Sequence, residues 1–160
     1  MDHQAIETPF KKYESIDQLS AEDRSLMDAA QKANENSYAP YSQFNVGAAV
    51  LLENGKVVTG NNQENAAYPS GMCAERVAVW NAASNYPDQK IIKIAITARS
   101  SIKVVDKPVA PCGACRQTLL EYEVKQKEPI TVFFTGNTGP VIQVSSLKDL
   151  LPFAFDQSYL

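Results

Sequence analysis

Three cysteines are all that this chain contains, and they fall in two short stretches: Cys73-Ala74-Glu75 and, much further along, Pro111-Cys112-Gly113-Ala114-Cys115. Cys112 and Cys115 stand at i and i+3, so in the first turn of a helix both sulfurs face one side. Cys73 opens a second apolar stretch of helical character, Ala74 to Ala83. A chain that uses all three thiols at one point must therefore bring two helix starts together, and that demand restricts the fold more than any other feature. An odd cysteine count argues against a disulfide framework and for metal binding or catalysis.

The rest of the chain supplies the elements for such a meeting. Ser20-Ala21-Glu22-Asp23 has the form of a helix N-cap with acids in the first turn, and Leu26, Ala29, Ala30 and Ala33 recur at helical spacing, which predicts a helix over about 20–36. Phe44 to Leu52, the Asn54-Gly55 pair and Lys56 to Thr59 predict a hairpin. An Asn-rich loop then leads to Cys73, whose helix ends near Pro87. Ile91 to Ala98 is a core strand, Cys112 to about Tyr122 a helix, and Ile130 to Phe134 and Val141 to Val144 are strands. Strand and helix alternate, so the expected fold is α/β: a three-layer αβα arrangement with a central mixed sheet of about five strands and helices on both faces. Residues 1–19 are expected to form a loosely held arm, with Phe10, Tyr13 and Ile16 as candidates to dock on the body, and residues 20–160 a single domain.

Three thiolates leave one coordination position open on a tetrahedral zinc, the arrangement of a catalytic site, whereas a structural site ordinarily has four protein ligands. Helix N-termini lower thiol pKa values and favour the thiolate that zinc requires. Glu75, two positions after a ligand, is suited to carry protons to and from a water at the open position. The bland alternative for Glu75 is a first-turn acid that complements the helix dipole. Arg76 and Arg116 are candidates to donate hydrogen bonds to the sulfurs and offset their charge. The sole histidine, His3, lies in the N-terminal arm and is a remote candidate for a fourth ligand.

A formal net charge of −3 offers no attraction for a polyanion, so a nucleic-acid partner is not expected. The apolar runs are too short to cross a bilayer, and the opening MDHQAIETPFKKYES lacks the apolar core of a signal peptide, so the expected location is cytoplasmic.

Five blocks, in order, carry a resemblance to a known family. They are Tyr41-Ser42-Gln43-Phe44-Asn45-Val46-Gly47-Ala48-Ala49, Asn62-Gln63-Glu64-Asn65-Ala66-Ala67-Tyr68, Cys73-Ala74-Glu75-Arg76, Pro111-Cys112-Gly113-Ala114-Cys115-Arg116-Gln117 and Leu150-Leu151-Pro152-Phe153-Ala154-Phe155. Over about residues 20–155 the chain resembles the nucleoside cytidine deaminases, the small all-cysteine kind that assembles as homotetramers. C-A-E rather than H-A-E at the first metal motif favours a free nucleoside over nucleotides or polynucleotides. The resemblance implies one zinc per subunit on Cys73, Cys112 and Cys115, with Glu75 shuttling protons during hydrolysis of cytidine or 2′-deoxycytidine at C4, in pyrimidine salvage. It further implies that Asn62 and Glu64 hold the ribose hydroxyls, Phe44 packs beside the pyrimidine and Ala74 offers backbone to the base edge. Phe155 would reach the active site of a neighbouring subunit. The absence of Lys and Arg from residues 57 to 75 agrees with a sugar that bears no phosphate. Asn45 departs from the proline usual in the family. Two alternatives share the metal motifs: a deaminase of a cytosine-bearing antibiotic nucleoside similar to blasticidin S, and a zinc-stabilised binding module with no turnover, which would not need Glu75.

Overall fold

The computed structural model describes residues 1–160. Six strands, β1 (Lys11–Tyr13), β2 (Phe44–Leu52), β3 (Val57–Asn61), β4 (Ile91–Ser100), β5 (Thr131–Thr135) and β6 (Val141–Val144), form one sheet in the order β1-β6-β5-β4-β2-β3. Only β4 and β5 run parallel, and their connection carries a helix, as a parallel crossover requires. The three helices are α1 (Ala21–Asn34), α2 (Ala74–Asn85) and α3 (Gly113–Gln126).

Side chains of the central strands alternate between two cores. Ala49, Ala95 and Phe133 point to one face and meet Leu26, Met27 and Ala30 of α1. Val50, Ile94, Ile96, Val132 and Phe134 point to the other and meet Ala78, Val79 and Ala82 of α2 and Leu119 and Leu120 of α3. This is the expected three-layer arrangement. Ser20 caps α1 by accepting from the Asp23 N–H at 3.1 Å, and Gly55 turns the β2–β3 hairpin at φ 81°. No helix is long and apolar enough to cross a membrane.

Three expectations need correction. The sheet has six strands rather than about five, because part of the N-terminal arm joins it: Lys11, Lys12 and Tyr13 pair with Gln143, Ile142 and Val141. Tyr13 also donates its hydroxyl to Gln143 Oε1 at 2.7 Å, and Thr8 Oγ1 donates to Asp149 O at 3.0 Å. Tyr13 and Ile16 dock on the α1 core, but Phe10 stays 60% exposed. The third helix runs four residues beyond the expected Tyr122, to Gln126. Its last turn is fastened by Glu123, whose buried carboxylate accepts from the N–H groups of Ile130 and Leu147 at 2.8 Å each, and by Gln126, which exchanges hydrogen bonds with both backbone groups of Ile91.

Candidate active site

Cys73 and Cys112 occupy the N-cap positions of α2 and α3, and Cys115 lies in the first turn of α3. The sheet brings the two helix starts to the same end of one face, and Gly60 on β3 lets α2 come close. A Cβ at Gly60 would stand 2.4 Å from Ala78 N and 2.8 Å from Ala74 O. The result is that the three sulfurs lie within 4.8 Å of one another. Thiolates about 2.3 Å from a tetrahedral zinc are roughly 3.8 Å apart, so the group fits one ion after a contraction of about 1 Å at most. The Cys73 thiol falls to about 5, chiefly because Cys115 donates to it and further because Arg76 does. Cys115 is pushed up by that same hydrogen bond and by burial. Thiolate character at Cys73 suits a bound cation.

Arg76, three residues after Cys73, shares its face of α2 and donates from Nη2 to Cys73 Sγ at 3.6 Å, with its guanidinium 5.9 Å over the Trp80 ring. Arg116 does not do the same. Its Nε donates to Pro111 O at 2.8 Å and its Nη1 to Leu150 O at 2.9 Å, so the expectation that it meets the sulfurs is corrected. Although Arg116 stands four residues after Cys112, on the same face of α3, its guanidinium is committed to these two backbone carbonyls. His3 is exposed and outside the cysteine group.

Beside the sulfurs opens a cleft of about 790 Å³, within the range of small-molecule sites. Glu75, only 4% exposed, lies on its wall next to Cys73 and Cys112. Burial raises its carboxyl pKa, and the negative charge of Cys73 adds to the rise. Phe44, Asn62 and Glu64 line the same cleft. Those three are wired together. Asn62 Oδ1 accepts from Val46 N at 2.8 Å and its Nδ2 donates to Phe44 O at 2.9 Å, so the carboxamide spans the start of β2 and keeps one donor and one acceptor position to spare. Glu64 accepts from the backbone N–H groups of Tyr41 at 2.9 Å and Ser42 at 3.2 Å and from the Ser42 hydroxyl. The hydroxyl bond, above all, lowers its pKa. Ser42 Oγ in turn accepts from Phe44 N at 3.0 Å. Asn45 ties the strand to the end of α1 by donating to Ser37 Oγ at 2.6 Å.

Two other candidates lie elsewhere. Ala74 is fully buried in the first turn of α2 and does not line the cleft. Phe155 is 57% exposed, stacks on Tyr159 with centroids 5.5 Å apart, and also lies outside the cleft of its own chain. Cleft residues that the sequence did not single out include Tyr41, Tyr68, Met72, Val109 and Ala110. Tyr41 and Tyr68 meet edge to face at 6.5 Å. Tyr41 shares a sequence block with Ser42 and Tyr68 another with Glu64, which was the available signal, but aromatic residues in loops have no periodicity that assigns them to a site.

Residues 20–128 match the family described as the cytidine and deoxycytidylate deaminase zinc-binding region. Among curated proteins, the cytidine deaminase of Halalkalibacterium halodurans is 40% identical over 130 residues, covering 81% of this chain and 91% of the relative. That of Mycobacterium tuberculosis is 39% identical over 133 residues, covering 81% and 86%. Among solved structures, the cytidine deaminase of Burkholderia pseudomallei superposes with a TM-score of 0.71 at 41% identity, covering 82% of this chain and 97% of the other. With a trithiolate group that fits zinc and a family match over most of its length, the chain belongs to the cytidine and deoxycytidylate deaminase family.

Proposed function

We propose that the protein hydrolyses cytidine and 2′-deoxycytidine to uridine and 2′-deoxyuridine with release of ammonia, in pyrimidine salvage. The observation that carries this is one cleft lined by a buried carboxyl, Glu75, beside three grouped thiols, and by Asn62 and Glu64. Cys73, Cys112 and Cys115 would hold the zinc, which when bound would supply a Lewis acid that makes water nucleophilic near neutral pH. Glu75 takes a proton from the attacking water and passes it to N3 of the pyrimidine, while the water oxygen adds at C4. It then carries the second proton to the departing amine, so cytidine and water give uridine and ammonia. Its burial keeps bulk water from competing for those protons, and its raised pKa brings its basicity closer to neutral pH.

Glu64 is acceptor-only when ionised and suits a sugar hydroxyl, while the spare positions of Asn62 can both donate and accept. Phe44, fixed through its N–H by Ser42 and through its carbonyl by Asn62, is the apolar wall beside the base. Arg76 offsets thiolate charge through Cys73. The catalytic unit is residues 20–160, with 1–19 as an appended arm. The protein acts in the cytoplasm as a homotetramer with active sites at subunit interfaces. Phe155 completes the site of a neighbour; its exposure, and its position outside its own cleft, support that role.

Loss of the cytosine absorbance, measured with cytidine, deoxycytidine, cytidine monophosphate and blasticidin S, tests the assignment. The expected outcome is turnover of the first two. Glu75→Gln should keep one zinc per chain and lose at least about 10²- to 10⁴-fold in turnover. Near-normal turnover in that variant removes Glu75 from the mechanism.

A further inference from the structure

The metal loop is held in an uneven way. Cys115 is fully buried, whereas Cys112 is exposed and caps α3 without any capping bond from its side chain. Nothing lies within 4 Å of where a Cβ on Gly113 would be, so the C-terminal side of Cys112 lacks packing. Restraint comes from the other side. Pro111 is buried, and its carbonyl accepts from Arg116 Nε at 2.8 Å.

The same guanidinium donates from Nη1 to Leu150 O at 2.9 Å. Leu150 ends a 3₁₀ turn, Leu147–Leu150, whose opposite end is gripped by Glu123: its carboxylate accepts from Leu147 N at 2.8 Å and from the Ser146 hydroxyl. Arg116 and Glu123 stand seven residues apart on α3, two turns on one face. α3 thus offers an anion to the N–H end of the turn and a cation to its carbonyl end, the favourable polarity at each. One residue after Arg116, Gln117 Nε2 donates to Phe155 O at 2.8 Å. A guanidinium is a planar fork with fixed donor directions, so Pro111 and Leu150 cannot shift independently while both are bound to it.

We propose that Arg116 is a positioning residue: by clamping the Pro111 carbonyl to Leu150, it fixes the Pro111–Cys112 peptide and so holds the most exposed metal ligand at the site. This rests on Cys112 being a zinc ligand, as proposed above.

The test uses the full-length protein loaded with zinc or, separately, cobalt(II). Zinc release to a chelating dye and the cobalt thiolate charge-transfer absorption are measured for wild type, Arg116→Gln, Arg116→Lys and Gln117→Ala, with thermal melts to establish folding. Arg116→Gln should release zinc on the order of 10- to 100-fold faster, the usual effect of removing a group that orients a ligand, and weaken the cobalt–thiolate band. Arg116→Lys should fall between it and wild type, because an ammonium cannot serve both carbonyls with the geometry of the fork. Gln117→Ala, which cuts only the tie to Phe155, should release zinc at the wild-type rate. Should Arg116→Gln not fold, Arg116→Lys decides. Release from both Arg116 variants at the wild-type rate overturns the proposal, and so does equal acceleration by Gln117→Ala, which would trace the effect to general loosening of the C-terminal segment. A wild-type protein without cobalt–thiolate absorption overturns the three-cysteine site and the clamp together. A wild type with that band and unaffected Arg116 variants overturns the clamp alone.

Discussion

Gly60→Ala separates packing from chemistry at this site. The added Cβ would stand 2.4 Å from Ala78 N, 2.8 Å from Ala74 O and 2.9 Å from Ala78 Cα, all backbone of α2 that no rotamer change can move. Ordinary contact begins at roughly 3.5 Å, so α2 has to retreat from β3 by about 1 Å. Overpacking of this kind costs about 1–3 kcal/mol, and in a chain of this size each kcal/mol lowers Tm by about 2–4 °C. Catalysis suffers more. Cys73 and Glu75 ride on the same turn of α2, and misplacement of reacting groups by about 1 Å costs on the order of 10²-fold in rate. The expected variant is folded at 25 °C, slightly less stable, with kcat down about 100-fold and reduced zinc content. Gly113→Ala is the control: it lies within the metal motif, but its Cβ would meet nothing within 4 Å, so zinc content and Tm should stay near wild type. Circular dichroism melts, zinc stoichiometry and cytidine turnover on the three proteins suffice. A Gly60→Ala enzyme with wild-type zinc and kcat would refute the chain from close approach to site geometry.

Phe155→Ala is expected to raise KM for cytidine, and subunit exchange with Glu75→Gln chains is expected to restore activity at sites that combine an intact Glu75 with a partner's intact aromatic ring. No recovery in demonstrably mixed oligomers removes Phe155 from the neighbouring site. In zinc-free protein, the Cys73 thiol at about 5 predicts that alkylation by iodoacetamide stays near its maximum from pH 8 down to about 6 and falls only below about 5, because the shift is downward. Loss of that phase in Cys73→Ser assigns it; a rate that instead drops off below about pH 8 contradicts the arrangement of the sulfurs.

The parts of the protein that were legible in its sequence were those with a local signal. Cys112 and Cys115 announce their shared face by spacing, Ser20 caps α1 by accepting from the Asp23 N–H, and Asn54-Gly55 turns a hairpin between two apolar runs. Strand β1 was not legible, since three residues of Lys-Lys-Tyr carry no pattern and gain their structure only from β6, far along the chain. Glu123 is another case. A glutamate inside a helix ordinarily marks the solvent side, and only the fold reveals that two backbone N–H groups and a hydroxyl surround this one. The two arginines show the limit most clearly. Each follows an N-cap cysteine by three or four residues, yet Arg76 donates to the Cys73 sulfur while Arg116 donates to the carbonyls of Pro111 and Leu150. Asn62 could be picked out for the site, but its second task of spanning Phe44 and Val46 could not.

The short strand β1 also governs how the protein meets other molecules. Without it, the sheet would end at Val141-Ile142-Gln143-Val144, an uncharged and largely β-branched row whose free backbone groups invite another chain to add on. With it, the outermost backbone on that side belongs to three residues, two of them lysines. A short, charged rim is a poor template for strand addition. The arm is thus a built-in guard against edge-to-edge association, leaving contact between copies to other faces of the molecule.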